Sequence, residues 1–481
     1  MKRKIILLSV LCCLTIATNA QNKSDREKIV AALDKETATY AEVAKKIWEY
    51  AEPGYLEKKS SALLQENLKR AGFKVTAGVA EIPTAFVATY GSGKPVIGIL
   101  AEYDALPGLS QVDAPEKKAA IAGAAGHGCG HNLFGTGSVA AAVAVKDWLK
   151  SSGTKGTIKV YGTPAEEGGS GKVYMVRAGL FDDVDAVLHW HPADRNLANA
   201  SSSLANKSGK FRFHGAASHA AAAPDRGRSA LDGVEAMNNM VNMMREHVSS
   251  DTRIHYVITR GGEAPNVVPA FAEVYYYVRH PEMNEVKETW ERVVKAAEGA
   301  ALGTGTTVDY EVTGGVYNIL PNEVLSKLMY ENLTKVGGVD YTEEEKAFAN
   351  KIQSSFIAEK PALESAKEIQ PYKVEKIRAG GGGSTDVGDV SWAVPTAGLR
   401  TATFVPGTPG HSWQAVASGG ISIGTKGMMV AAKTIALTAY DLYKNPAVIE
   451  EAAEELAEKQ GNNFKYEALL GNRKPALDYR K

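Results

Sequence analysis

At 481 residues the chain is too long for one ordinary core, and two domains are the expectation. Apolar residues make up 44% and charged residues 23%, the balance of a soluble globular protein and not of a disordered one. Acids and bases are equal at 55 each, so the charge gives no reason to expect nucleic acid or an anionic membrane as a partner.

The first residues, Met1-Lys2-Arg3-Lys4, are basic, and the apolar run 5–17 is short for a membrane span. Thr18-Asn19-Ala20 ends it on a small residue before Gln21, which reads as a secretory signal cleaved after Ala20. The mature chain is then expected in the periplasm or outside the cell, with no membrane contact. Cys12 and Cys13 leave with the leader, so Cys129 remains without a disulfide partner in the chain. Its uses are packing, reactivity or metal binding, and two neighbouring histidines favour the last.

Apolar spacing predicts a helix over 25–51, stopped by Pro53-Gly54, and a second over 60–70. Residues 73–79 and 85–90 read as strands. The unbroken apolar run 95–101 marks a strand buried on both faces, and it empties into Glu102-Tyr103-Asp104. Gly126-His127-Gly128-Cys129-Gly130-His131-Asn132 follows, then a small-residue helix over 137–150. Strand 157–161 runs into Pro164-Ala165-Glu166-Glu167-Gly168-Gly169, and strand 185–188 into His189-Trp190-His191-Pro192. Three buried strands thus end in carboxylates or histidines, and open α/β sheets place their sites at such ends.

From about 207 the texture changes to alternating strands (211–214, 253–259, 272–279, 308–312) with helices over 229–247 and 283–300 between them. The order strand–helix–strand–strand–helix–strand predicts a ferredoxin-like α+β unit inserted over 207–315. The flanking segments 21–206 and 316–445 make one α/β catalytic domain, and 446–481 is a helical tail. The charged stretch 342–376 is expected to be a solvated excursion. A glycine run at 379–386, Gly410-His411-Ser412-Trp413 and a helix over 424–442 complete the chain.

Soft thiolate and imidazole together suit zinc or a similar first-row metal. Cys129, His131, Glu166, Glu167, His189 or His191, and His411 are about the number of ligands that two adjacent ions need when one ligand bridges. Neighbouring carboxylates at a strand end point in opposing directions, which lets one bind metal while the other handles a proton. His189 and His191 share a face if the strand continues, and only one need be a ligand.

As an ordered set, Cys-Gly-His, Pro-Ala-Glu-Glu-Gly-Gly, Trp190-His191-Pro192, Gly-Ala-Ala-Ser-His-Ala (residues 215–220) and His411-Ser412-Trp413 resemble the zinc aminoacylase/carboxypeptidase-G-like amidohydrolases, and within them the p-aminobenzoyl-glutamate hydrolase branch. The likeness covers about 24–445. It implies a mixed-sheet α/β/α metallopeptidase domain carrying an inserted ferredoxin-like lid or dimerisation domain. It implies two divalent ions, zinc or manganese, on Cys129, His131, Glu167, His191 and His411. A His-x-x-Pro branch points to His189 as the ligand instead; otherwise His189 and Asp104 lie just behind the ligands. Glu166 is implied as general base, and His219 as the histidine that reaches a partner subunit's site. Asn266 and Arg279 are implied to hold substrate, the arginine fork suiting a carboxylate. Asn132 departs from the pattern, since many relatives have aspartate after Cys-Gly-His.

The resulting expectation is a metal-dependent amidohydrolase acting on N-acyl or N-aroyl amino acids, working as a homodimer or heterodimer through the inserted domain. A carboxypeptidase or dipeptidase on the same fold is the second reading, and a non-catalytic partner subunit the third.

Overall fold

The computed structural model describes residues 24–375 and 382–480. The leader read at 1–20 and the start of the glycine run at 379–386 lie outside the described residues. Helices α1 (Asp25–Lys35), α2 (Thr37–Tyr50) and α3 (Lys58–Arg70) open the chain. A single helix was expected over 25–51, but it breaks at Glu36. There the Thr37 hydroxyl donates back to the Leu33 carbonyl at 3.3 Å, a bond that bends helices.

Strands β1 (Lys74–Ala77), β2 (Phe86–Ser92), β3 (Val96–Ala101), β4 (Gly156–Gly162) and β5 (Ala186–Ala193) precede the insertion. Strands β6 (Ala205–His214), β7 (Arg253–Arg260), β8 (Phe271–His280) and β9 (Thr307–Val316) form it, and β10 (Thr396–Ala402) returns to the first sheet. The large sheet has the order β1-β2-β4-β3-β5-β10. Strands β4, β3, β5 and β10 are parallel, while β2 runs antiparallel to β4 and β1 to β2. All six residues of β3 are buried, as a strand covered on both faces requires.

Helices α4 (His131–Ser152) and α12 (Ser422–Lys444) pack on each other and on these strands. A Cβ at Gly137 would lie 3.0 Å from both Met428 and the Trp190 ring, so the small face of α4 is what admits this approach. The helix starts at His131, six residues before the expected 137, after Gly130 turns at φ +76°. Between α4 and α12 lie α5 (Gly171–Arg177), α6 (Ala230–Met244), α7 (Met283–Thr304), α8 (Glu323–Val336), α9 (Glu343–Ser354), α10 (Val387–Ala393) and α11 (Trp413–Gly419). Helix α13 (Ala447–Gln460) follows.

The inserted sheet has the order β9-β6-β8-β7, antiparallel throughout. Helices α6 and α7 cover it around Phe211, Phe213, Met237 and Trp290. That is the ferredoxin-like arrangement.

The solvated excursion expected over 342–376 needs correction. Residues 343–354 form α9, opened by a capping box between Thr342 and Glu345. Ala349 and Ile352 are buried with Val405, Ala417 and Ile423, and the buried Glu345 pairs with Lys426 at 2.6 Å, so this is a docked helix whose other glutamates face outward. No helix among the described residues is long and apolar enough to cross a membrane.

Candidate metal centre and active site

The parallel strands deliver their C-terminal ends to one edge of the large sheet, and the side chains of interest meet there. Strand β3 leads to Glu102 and Asp104, β4 to Glu166 and Glu167, and β5 carries His189 and His191. The loop after β10 reaches His411, while Cys129 and His131 sit at the start of α4.

Cys129 Sγ stands 3.5 Å from His191 Nε2 and 3.5 Å from His411 Nε2. His411 Nε2 is in turn 3.6 Å from Glu167 Oε1. Two groups of ligand atoms result, Cys129-His131-His191 and Cys129-Glu167-His411, and Cys129 belongs to both. A third group, Glu102-His131-Glu166, shares His131 with the first.

His131 Nε2, Glu102 Oε2 and Glu167 Oε1 are buried without a hydrogen-bond partner, although the first two lie 3.1 Å apart. Buried polar atoms left in this state call for an explanation, and a cation among thiol, imidazole and carboxylate supplies one. The residues present therefore fit a divalent metal.

His131 is oriented from behind. Its Nδ1 lies 2.9 Å from Asp104 Oδ1, which leaves Nε2 for the cluster. The other Asp104 oxygen accepts the Glu167 N–H at 2.9 Å. Burial works against charge on His131, yet Cys129, Glu102 and Asp104 hold its pKa well above the usual imidazole range. Burial, with His131 and Arg400, depresses His191. Burial pushes the Cys129 thiol up to about 12, so the thiolate needs a cation beside it. Burial, then the charges of Glu102 and Glu167, holds Glu166 well above the ordinary carboxylate range.

The two glutamates part company as their neighbouring positions predict. Glu167 joins Cys129 and His411, and Glu166 joins Glu102 and His131. Ala165, at φ +59°, turns the backbone into the pair, and its N–H donates to the buried Glu57 at 2.8 Å.

Strand β5 does continue through both histidines, but they have different surroundings. His191 faces Cys129, whereas His189 lies over Gly398 of β10, where a Cβ would be 2.2 Å from its Nε2. His189 belongs to none of the three groups. Asn132 donates to the carbonyls of Ala44 and Gly419, both at 3.3 Å, and aspartate has no N–H for either.

The inserted unit separates its candidates. His219 and Asn266 sit on paired loops, with the Ala220 N–H donating to the Asn266 carbonyl at 3.0 Å. His219 is exposed, and its Nδ1 accepts the N–H groups of Ala221 and Ala222, each at 3.2 Å. Its proton is thereby placed on Nε2, which faces away from that turn. Arg279 lies toward the opposite end of β8, roughly 30 Å of strand away, beside Asn206 where the insertion begins.

A buried charge cluster behind the site was not singled out by the sequence. Lys172 on α5 is fully buried, 2.6 Å from Glu102 and 2.7 Å from Asp386. Asp386 also accepts the Lys172 N–H at 2.9 Å. The one available signal was Glu102 itself, a carboxylate at the mouth of a buried strand.

Residues 205–304 match the peptidase dimerisation domain of M20 enzymes. The chain is 44% identical to a p-aminobenzoyl-glutamate hydrolase subunit of Escherichia coli (strain K12) over 451 residues, covering 88% of this chain and 93% of that protein. It is 32% identical to an Xaa-Arg dipeptidase of Mus musculus, covering 78% of each. A dinuclear metal-binding peptidase of Bacillus subtilis shares the fold at a TM-score of 0.58 and 16% identity, over 86% of this chain and 99% of that one. The chain belongs to the M20 metallopeptidase family and is a hydrolase of amide bonds.

Proposed function

We propose that the protein is a two-metal amidohydrolase that cleaves N-acyl or N-aroyl amino acids resembling p-aminobenzoyl-glutamate. The observation that carries this reading is Cys129 standing in two of the three groups, with Glu166 outside those two and joined to them through His131, which the third group shares. The 44% identity to a p-aminobenzoyl-glutamate hydrolase chain supports the substrate class.

Cys129, His131, Glu167, His191 and His411 would hold two divalent ions, zinc or manganese. Such ions polarise a carbonyl and acidify water. The chain's own residues do the rest. Glu166 takes the proton of the attacking water as its oxygen bonds to the amide carbon, and it then returns that proton to the leaving nitrogen as the C–N bond breaks. His219 of a second copy, through its Nε2–H, donates to the carbonyl oxygen as negative charge gathers there. Arg279 is read as holding the substrate's carboxylate, and Asn266, roughly 30 Å of strand away on the loop paired with that of His219, as a substrate contact made from the second copy. Residues 1–20 are read as an export leader, placing this chemistry in the periplasm or outside the cell.

The test is turnover of p-aminobenzoyl-glutamate and a panel of N-acyl amino acids and dipeptides by the purified chain, with zinc or manganese added. Glu166→Gln should abolish it. A preference for dipeptides would favour the dipeptidase reading, which the 32% identity to an Xaa-Arg dipeptidase also supports. Turnover only after a different chain is added would favour a heteromeric enzyme.

A further inference from the structure

We propose that segment 461–480, which follows α13, is part of the catalytic apparatus, with Tyr479 and Arg480 as positioning residues for the Glu166–Glu167 turn. The inference rests on the reading of Glu167 in that turn as a metal ligand.

The carbonyl of Glu167 accepts two hydrogen bonds, from Arg480 Nη2 at 2.6 Å and from the Tyr479 hydroxyl at 3.1 Å. The N–H of the same residue donates to Asp104. The peptide groups on both sides of Glu167 are therefore fixed, one from the end of β3 and one from a segment more than 300 residues away. Fixing both limits where the carboxylate can point, which is the task of groups behind a metal ligand. The positive charge of Arg480 shortens and strengthens its bond to the carbonyl.

The segment is anchored along its course. The Tyr466 hydroxyl donates to Asp389 at 2.7 Å, and Leu469 packs so closely on Gly315 that a Cβ there would lie 2.7 Å away. Arg473 donates to the Thr313 carbonyl at 2.6 Å and pairs with Glu311 at 2.9 Å, both on β9 of the inserted unit. The Tyr479 ring meets Tyr55 edge to face at 5.5 Å, and a Cβ at Gly54 would come within 2.2 Å of its hydroxyl. The segment thus runs from α10 across the root of the inserted sheet to the glutamate turn. A chain that needed only a surface cover has no use for two donors converging on one carbonyl.

The experiment compares zinc affinity, by competition with a chelator, and steady-state kinetics for the full chain and its Arg480→Ala, Arg480→Lys and Tyr479→Phe variants. Arg480→Ala is expected to weaken zinc binding by about ten- to hundredfold. It should also lower kcat by about the same factor with KM little changed. Arg480→Lys should recover part of both, because an ammonium can still donate to the carbonyl. If Arg480→Ala fails to fold, Tyr479→Phe removes one donor with little change of shape and should weaken zinc binding by a smaller factor. Wild-type zinc affinity in every folded variant would overturn the proposal. Zinc affinity is read without substrate, so a wrong substrate class leaves this result standing, and full activity of Glu166→Gln would strike the function reading alone.

Discussion

The His411 N–H donates to the Gly128 carbonyl at 3.0 Å, which ties the loop after β10 to the loop that carries Cys129. His411 makes this contact at φ +57°, a left-handed conformation that L residues with a Cβ adopt only under strain. Both His411→Ala and His411→Gly should lose activity, since each removes the imidazole. His411→Gly should nevertheless be more stable than His411→Ala, by about 1 kcal/mol in urea denaturation, because glycine relieves the strain. Equal stability of the two variants would count against strain at this position.

Lys172 neutralises Glu102 and Asp386, and all three side chains are buried. Replacing it by methionine leaves two carboxylates together without their cation. Lys172→Met is expected to cost about 3–5 kcal/mol, and adding Glu102→Gln should recover part of the loss. A single variant as stable as the wild type, by chemical denaturation, would show that the lysine contributes nothing to folding.

The two histidines of β5 should separate by metal content. His191→Ala is expected to lower the metal retained after gel filtration, and His189→Ala to leave it near the wild-type level. Elemental analysis reads this directly. Loss confined to the His189 variant would reverse the assignment.

Asp389 gives a pH dependence. It accepts the Tyr317 N–H at 2.9 Å and the Tyr466 hydroxyl at 2.7 Å, but burial prevails and raises its pKa to about 7. The folded chain keeps this proton where the unfolded chain, at about 3.9, has already lost it. Its contribution to stability is full below about pH 4, declines as pH rises, and is gone above about 7. In urea titrations, the stability of the wild type relative to Asp389→Asn should fall by up to about 1.4 kcal/mol per pH unit between about pH 5 and 7 and level off above that. Parallel curves across this range would exclude the effect.

Much of the site was legible because parallel strands announce themselves. Strands β3, β4 and β5 each run into carboxylates or histidines at their C-terminal ends. Glu102–Lys172–Asp386 was not legible, since a lysine on a seven-residue helix reads as surface and its acidic partners lie 70 residues before it and 214 after. The glutamates of α9 hid a docked helix, although Thr342-x-x-Glu345 carried the cap signal. Tyr479 and Arg480 have no periodicity to read. Their partner is a main-chain carbonyl, which sequence does not distinguish from any other.

Strand β10 joins the large sheet only after the inserted unit has been made, and it carries the loop of His411 with it. During synthesis, a nascent chain halted in the insertion already holds Cys129, His131, Glu167 and His191 but lacks the imidazole of the second group. An ion captured that early would meet a half-built cage exposed to exchange. The second group is therefore complete only once residue 411 has been made, after the whole of the inserted unit.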